Sequence, residues 1–173
     1  IRPQKFAGTS DIEYADVSGS FALAAADDNG ELVSSAGVGD EFWVTLTAAW
    51  DGSDEAGVFA AYADIEFDTS LLEVAEIEHL NDFENGTGGE VAGEGVLNLG
   101  GFTGDLGGDV LGASEIARFR VKVLGEGEVR FEVTASEGVG SQFLVFGKSH
   151  PIDRARITGV PLVLDLSASE END

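Results

Sequence analysis

The feature of this sequence that most limits its possible folds is the alternation of residues 58–67. The surrounding segment, GVFAAYADIEFDTSLLEVAEI, spans residues 57–77. One side of an extended chain would carry Phe59, Ala61, Ala63, Ile65 and Phe67, and the other Ala60, Tyr62, Asp64 and Glu66. A period of two indicates a β-strand, because successive side chains point to opposite faces of a sheet. The polar corner FDTS then leads directly to a second apolar stretch, so two consecutive strands are predicted.

Similar short stretches recur along the chain, separated by turn residues. The predicted strands cover residues 20–26, 41–50, 58–67, 71–80, 96–102, 116–123, 128–134, 143–146 and 157–166. The chain has 24 glycines against 3 prolines, and Asn29-Gly30 is the dipeptide that most favours a tight hairpin turn. No stretch has the period of a convincing amphipathic helix. The sequence therefore predicts an all-β fold, a two-sheet antiparallel β-sandwich.

Length and charge narrow the class of protein further. A chain of 173 residues with 43 % apolar residues suits one domain with a sizeable core. Its 33 acids against 9 bases give a net charge of −24, which argues against binding to nucleic acid or to anionic lipid. A saline setting or divalent cations would suit such a surface.

No segment reaches the roughly 20 apolar residues of a membrane helix. The absence of Met at position 1 predicts a mature form or a piece of a longer precursor.

Four segments, taken in order, resemble a known family. They are VGDEFWVTLTAAW (38–50), AGVFAAYADIEFDTSLLEVAEI (56–77), GVLNLGGFTG (95–104) and SEIARFRVKVLGEGEVRFEV (114–133). Over residues 37–166 the chain resembles a cohesin domain, and more broadly the cohesin and carbohydrate-binding-module-like β-sandwich superfamily. It looks most similar to the divergent cohesin-like modules of large secreted or surface-attached bacterial proteins.

The resemblance implies a jelly-roll sandwich of about nine strands that has no catalytic activity. Cohesins bind dockerins, which are calcium-loaded helical modules, through the open face of one sheet. Here that face would combine the strands at 58–67, 96–102 and 116–123. Its outward side chains, the predicted partner-binding residues, are Tyr62, Asp64, Glu66, Asn98, Arg118, Arg120 and Lys122. The predicted divisions of the chain are an arm or edge strand at 1–20, the sandwich at 21–166 and an acidic tail at 167–173.

Three of the nine bases, Arg118, Arg120 and Lys122, alternate along one strand. One interpretation is a cationic strip that meets an acidic partner. The other is a ladder of cross-strand ion pairs with Asp64 and Glu66, which requires the two strands to be neighbours. Both interpretations are correct if a partner inserts its acidic side chains into the ladder.

Acidic loops are candidates for calcium, because this hard cation takes several oxygen ligands from flexible loops. One predicted site comprises Asp51, Ser53, Asp54 and Glu55, another Asp82 and Glu84 with Asn81 and Asn85, and a third Asp27, Asp28 and Asn29. None has the spacing of an EF-hand, and solvated turn residues are the alternative.

An enzyme and a carbohydrate-binding module are the other classes to consider. His79 and His150 are the only histidines, and no nucleophile-elbow pattern accompanies them, so the chain is predicted not to be an enzyme. A sugar-stacking platform could be formed by Trp43, Trp50, Tyr62 and Tyr14, and Trp43 would then have to face outward. Packing of Trp43 is preferred, because a sandwich of this size needs its few large aromatic side chains inside.

These features together predict a non-catalytic, extracellular or cell-surface module for protein–protein association. The partner is either a dockerin-like module or further copies of the chain in a surface layer or fibre. The arm at residues 1–20 favours the second version, since its apolar residues Phe6, Ile12, Tyr14 and Val17 suit a strand added to a neighbour's open edge. The alternative is that the arm folds back on its own domain. No cofactor is predicted other than Ca²⁺ in the acidic loops.

Overall fold

The strands of the chain follow the alternating stretches of the sequence. The computed structural model describes residues 14–52, 56–80, 83, 96–102, 114–136, 143–146, 148 and 150–168. The strands in these residues are β1 (Gly19–Ala26), β2 (Ser35–Gly37), β3 (Glu41–Trp50), β4 (Val58–Glu66), β5 (Leu72–His79), β6 (Val96–Phe102), β7 (Ser114–Val123), β8 (Gly127–Ala135), β9 (Leu144–Val145), β10 (Ile157–Val160) and β11 (Leu162–Ser167). One turn of 3-10 helix, Arg154–Arg156, precedes β10. None of the described segments forms a helix with the length and apolar character needed to cross a membrane.

The first layer is a five-stranded sheet in the order β10-β1-β3-β7-β5. Its neighbours run antiparallel except for β1 and β10, which are parallel. In β3 the side chains of Phe42, Val44 and Leu46 are buried in the core, as the period-two pattern predicts. At the edge strand β5, the register with β7 shifts between Val74 and Glu76, which leaves Ala75 as a bulge.

The second layer is a six-stranded sheet in the order β2-β11-β8-β4-β6, with β9 paired to the start of β4. Here β2 and β11 are parallel and the other pairs are antiparallel. The small side chains of Ala61 and Ala63 point into the core with no exposed surface. Small residues on one sheet leave room for bulky residues from the other, so the two layers interdigitate.

Aromatic rings join the two layers in the core. Phe131 of β8 lies 6.2 Å from Phe119 of β7 and 5.9 Å from Phe67, measured between ring centroids. Phe119 and Phe131 have no exposed surface. Burial of an aromatic side chain contributes on the order of 2–3 kcal/mol, so this cluster is a main contact between the sheets.

The all-β sandwich predicted from the sequence is confirmed, and the described residues form eleven strands rather than about nine. Residues 157–166, predicted as one strand, form β10 and β11 on either side of Pro161, where the chain passes from one sheet to the other. A proline cannot donate a ladder hydrogen bond, which explains the break. The other added strand, β2, has only 3 residues.

The predicted inner stripe of β4 is wrong at one position. The register of β4 with β9 shifts between Val58 and Ala60, so Val58 is buried and Phe59 is half-buried. The Phe59 ring instead packs edge-on against Phe146, at 5.3 Å between ring centroids. A bulge of this kind redirects side chains that strict alternation would place inside.

The predicted arm is partly described. Ala15 forms a parallel bridge with Ile152, and its backbone nitrogen donates to the Pro151 carbonyl at 2.8 Å. This bridge lies just before the parallel pairing of β1 with β10. Residues 1–13 lie outside the described part, so their predicted role is untested.

Candidate partner-binding site

The predicted partner-binding residues do not share one face. Asp64 of β4 and Asn98 of β6 lie opposite each other in the six-stranded sheet, and Tyr62 and Glu66 lie on the same strand as Asp64. By contrast, β7, which carries the three bases, lies in the five-stranded sheet between β3 and β5. The expectation of a single face made by β4, β6 and β7 is therefore wrong, because β7 pairs with strands other than β4 and β6.

The bases of β7 form a ladder, but with other acids than predicted. Arg118 Nε donates to Glu78 Oε1 of β5 at 2.6 Å. Arg120 turns the other way, donating to Glu41 Oε1 at 2.7 Å and to Asp28 Oδ1 at 2.9 Å. The carboxylates of Asp28 and Glu41, which accept these hydrogen bonds, raise the pKa of Arg120. The predicted pairs with Asp64 and Glu66 are not formed, since those acids lie on the other sheet.

Trp43 lies beneath this ladder on the outer face of β3. Its indole is buried, at 8 % exposure, and Phe42 and Val44 point to the opposite side, into the core. The guanidinium carbons of Arg118 and Arg120 lie 3.9 and 5.4 Å from the ring centre. Trp43 thus faces away from the core, yet it is packed, under two cations that favour the face of an indole.

Asp28 ties the β1–β2 connection to the same cluster. Hydrogen bonds and charge from Arg120 hold the pKa of Asp28 below its ordinary value, and a hydrogen bond from Trp43 lowers it further. Its neighbour Asp27 accepts from the backbone nitrogens of Asn29 and Glu31, both at 2.9 Å. The carboxylates of this predicted calcium loop are therefore already engaged as hydrogen-bond acceptors.

On the six-stranded sheet, a polar network links three elements. Asn98 Nδ2 donates to Asp64 Oδ1 at 2.8 Å and to Ser136 Oγ at 3.1 Å. Ser136 follows β8 and is buried, and its nitrogen donates to the Tyr62 carbonyl at 3.0 Å. Asp64 and Asn98 are thus held in fixed rotamers, by each other across β4 and β6 and by Ser136 just after β8.

Tyr62 is on the outer side of β4, as predicted, but it is not available to solvent. Its exposed fraction is 9 %, and burial raises the pKa of its hydroxyl. Opposite it lies Gly100, where a Cβ would come within 2.7 Å of Tyr62 Cδ2. The missing side chain lets the Tyr62 ring lie over the backbone of β6. Trp43 and Tyr62 are both buried and lie on opposite sheets, so these two residues do not form an exposed aromatic pair for sugar binding.

Exposed carboxylates cover the rest of this face. Glu66 of β4 and Glu132 of β8 are exposed and directly opposite each other in register. Arg130 donates to Glu132 through Nε, and Glu128 and Asp165 extend the acidic surface across β8 and β11. Sequence reasoning missed Arg130, Glu128 and Glu132, although the alternation of EVRFEV places all three on the outer side of the strand.

The other predicted calcium ligands are almost all outside the described residues. These are Ser53, Asp54, Glu55, Asp82 and Glu84. Asp51 is described, and its Oδ2 accepts from the backbone nitrogen of Ser18 at 3.0 Å. Calcium binding in these loops stays a prediction.

Solved structures that are similar to this chain include cohesin modules. The seventh type I cohesin of ScaB from Pseudobacteroides cellulosolvens matches with a TM-score of 0.63 and 13 % identity, over 90 % of this chain and 96 % of its own. The chain has the cohesin fold. At this identity the likeness establishes the fold, which confirms at that level the resemblance drawn from the sequence.

Two further solved structures, both containing cohesins, are similar to this chain. The Coh-OlpC–Doc435 complex of Clostridium thermocellum, a type I cohesin–dockerin complex, matches with a TM-score of 0.60, 14 % identity and coverage of 92 % and 99 %. A non-cellulosomal cohesin from the archaeon Archaeoglobus fulgidus matches at 0.54, with 12 % identity and coverage of 89 % and 94 %. No protein-family model and no curated protein matches the sequence.

Within this cohesin fold, the outer faces of the two sheets differ in how far their charged side chains are paired with opposite charges. On the five-stranded sheet, Arg118 and Arg120 are bound by acids of the same face. On the six-stranded sheet, one base, Arg130, accompanies five carboxylates on β4, β8 and β11: Asp64, Glu66, Glu128, Glu132 and Asp165. Charge on the second face is therefore largely uncompensated.

Proposed function

We propose that this chain is a non-catalytic module for protein–protein association outside the cell. In this proposal it binds a basic protein partner through the outer face of the six-stranded sheet, named here the acidic face: Asp64, Glu66, Asn98, Glu128, Arg130, Glu132 and Asp165. The likeness to cohesin modules supports a binding role, since one of them is a cohesin–dockerin complex. A dockerin-like module is the partner class that this likeness suggests.

The observation that carries the proposal is the pair Glu66 and Glu132. Like charges directly opposite each other on neighbouring strands destabilise a sheet. Both side chains are exposed, and among the described residues Arg130 pairs with Glu132 alone. A lysine or arginine of a partner placed between the two carboxylates would relieve their repulsion and form charge-assisted hydrogen bonds.

The neighbouring network supports a binding role in a different way. Asp64 and Asn98 are held by each other and by Ser136. Because their rotamers are fixed before a partner arrives, binding at this end of the face costs little side-chain entropy. An acidic surface with fixed side chains fits a folded partner with a complementary basic surface.

A pull-down from the medium of the source organism tests the proposal. The immobilised wild-type chain should retain a discrete protein, whereas Glu66→Lys with Glu132→Lys should lose it. Glu31→Lys is the matched control, because Glu31 is an exposed glutamate outside the acidic face. Raising the salt concentration should elute the partner, since screening weakens exposed charge pairs. Equal retention by all three chains, or retention that ignores salt, contradicts the proposal.

A further inference from the structure

The free edge of the five-stranded sheet is a second place where a strand can bind. In the part of the chain that the structure describes, β5 pairs on one side only, with β7. The backbone groups on its other side are available to an added strand. This edge lies on a different sheet from the acidic face, so the two sites are separate.

A groove adjoins the start of this edge. It has a volume of about 400 Å³ and is lined by Phe67, Thr69, Leu72, Glu73, Val74 and Leu124. Leu124 is 43 % exposed and Val74 is half-buried. The groove is thus mainly apolar and suits one large apolar side chain.

The outer side of the same edge is acidic. Glu73 and Glu76 are exposed, and neither has an ion pair among the described residues. Glu73 lies opposite Lys122 and Glu76 opposite Arg120 in register. Glu73 and Lys122 form no ion pair, and the guanidinium of Arg120 is bound to Asp28 and Glu41 instead. An added strand would therefore have to present a base on one side and an apolar residue on the other.

Few segments of so acidic a chain meet this requirement. Stretches of at least ten residues with two or more bases and no acid occur at 1–10, 116–125 and 154–164. The second lies in and just after β7, and the third covers the 3-10 turn, β10 and the start of β11, so both are already packed. The first, IRPQKFAGTS, has the adjacent pair Lys5 and Phe6. Consecutive residues of a strand point to opposite faces, so this pair presents a base and an aromatic ring to opposite sides.

We propose that residues 1–6 of a second copy of this chain add as a strand to the edge of β5. Lys5 then faces Glu73 and Glu76, and Phe6 enters the groove beside Leu124. The anchor of the arm supports an exchange between copies. Ala15 is bridged to Ile152, before the pairing of β1 with β10, and β10 is the opposite edge of the sheet from β5. Its own β5 lies about 19 Å away, four strand spacings. Residues 7–14 can span that distance only as an extended segment laid across the sheet, whereas the edge of a second copy requires no such crossing.

A contact from one edge of a sheet to the opposite edge of the next copy is head-to-tail. Such contacts extend into open filaments unless the rotation between copies closes a ring. The proposed exchange therefore predicts species larger than dimers at high protein concentration. Charge attraction between Lys5 and the glutamates predicts that added salt weakens them.

Two complementary variants test the exchange. The arm variant, Lys5→Glu with Phe6→Ser, keeps a good edge but has a defective arm. The edge variant, Glu76→Lys with Leu124→Asn, keeps a good arm but has a defective edge; both changed residues are exposed, so the fold should persist. Sedimentation velocity should show self-association of the wild type and, for each variant alone, association about tenfold weaker or more.

A one-to-one mixture of the two variants is the decisive sample. Its only intact pairing joins the arm of the edge variant to the edge of the arm variant, so it should form heterodimers that grow no further. Glu31→Lys, the control for charge, should assemble like the wild type. Glu66→Lys with Glu132→Lys should also assemble, so failure of the proposed function and failure of this inference are distinguishable. A monomeric wild type, a mixture that stays monomeric, or equal weakening by Glu31→Lys overturns the inference.

Discussion

The guanidinium carbon of Arg118 lies 3.9 Å from the ring centre of Trp43, while its Nε donates to Glu78 at 2.6 Å. One arginine therefore covers an indole on β3 and pairs with a carboxylate on β5. It links three neighbouring strands on a face that would otherwise leave a tryptophan in water. This contact explains how Trp43 is buried without being part of the core.

Replacing Arg118 by alanine should uncover Trp43 and lower the free energy of unfolding by about 1 kcal/mol, the typical size of a partly exposed cation–π contact. Urea titration followed by tryptophan fluorescence measures both effects, because an uncovered indole emits at longer wavelength. Arg118→Lys should fall between wild type and alanine, since lysine keeps the charge but not the planar stacking. Arg130→Ala, an exposed arginine on the other sheet, should change the free energy by less than about 0.5 kcal/mol.

Acid should weaken the Asp28 cluster. The folded-state pKa of Asp28 is below its ordinary value of 3.8, so the unfolded state takes up a proton first as the pH falls. The contribution of Asp28 is thus full above pH 3.8 and is lost as the pH drops through its folded pKa. Nuclear magnetic resonance titration of the Asp28 carboxyl should give a midpoint below 3.8, and Arg120→Gln should move it upward. An unchanged midpoint in that variant would show that Arg120 is not the cause.

Phe131→Ala should be among the most damaging substitutions in the core, because its ring contacts both Phe67 and Phe119. Removal of a buried aromatic ring costs about 3–5 kcal/mol. Chemical denaturation measures the loss. Val163→Ala, at an exposed position of β11, should stay within about 0.5 kcal/mol of the wild type, and a similar loss in both would argue against a role for the ring cluster.

Gly159→Ala should destabilise the fold severely, because a Cβ at this position of β10 would lie 1.8 Å from the Val133 carbonyl oxygen of β8. Backbone cannot yield as a flexible side chain does, so we expect a loss of about 3 kcal/mol or more. The matched change is Gly125→Ala, whose nearest neighbours lie at 3.4 Å and which should be tolerated. Thermal melting of both variants compares them, and equal melting temperatures would refute the close approach of β10 to β8.

Glu66→Gln should stabilise the isolated chain, since it removes the repulsion with Glu132 across β4 and β8. We expect a gain of roughly 0.2–1 kcal/mol at low salt and a smaller gain at 1 M salt, where charges are screened. Urea titration at the two salt concentrations measures it. A loss of stability at low salt would mean that the two carboxylates do not repel each other.

The alternation of apolar and polar residues predicted the positions of the strands well, but it predicted poorly which strands pair with each other. Alternation placed β3 at 41–50 and β6 at 96–102, matching their observed bounds, because a half-buried strand imposes its period on nearby residues. The site was harder, because the partners of β7 are distant in sequence. Glu41, Glu78 and Asp28 surround its bases, and nothing near residue 118 identifies them. Alternation assigns a residue to a face, but it does not say which sheet the strand joins.

Trp43 shows the same limit. Phe42, Trp43 and Val44 are three consecutive large apolar residues, so period two alone leaves both faces of β3 apolar. What decides the outcome is the pair of arginines on β7 that covers the outer ring. Arg118 lies 75 residues after Trp43 in the sequence, so the residues around Trp43 do not predict this contact.

The passage of the chain from β10 to β11 at Pro161 also sets the order in which the domain can be completed during synthesis. β11 is not at the rim of its sheet but lies between β2 and β8, and it is the last strand in the part of the chain that the structure describes. Until residues 162–167 have emerged, β2 has no strand to pair with and β8 lacks one neighbour. Cooperative closure of both sheets must therefore wait until these residues have been made.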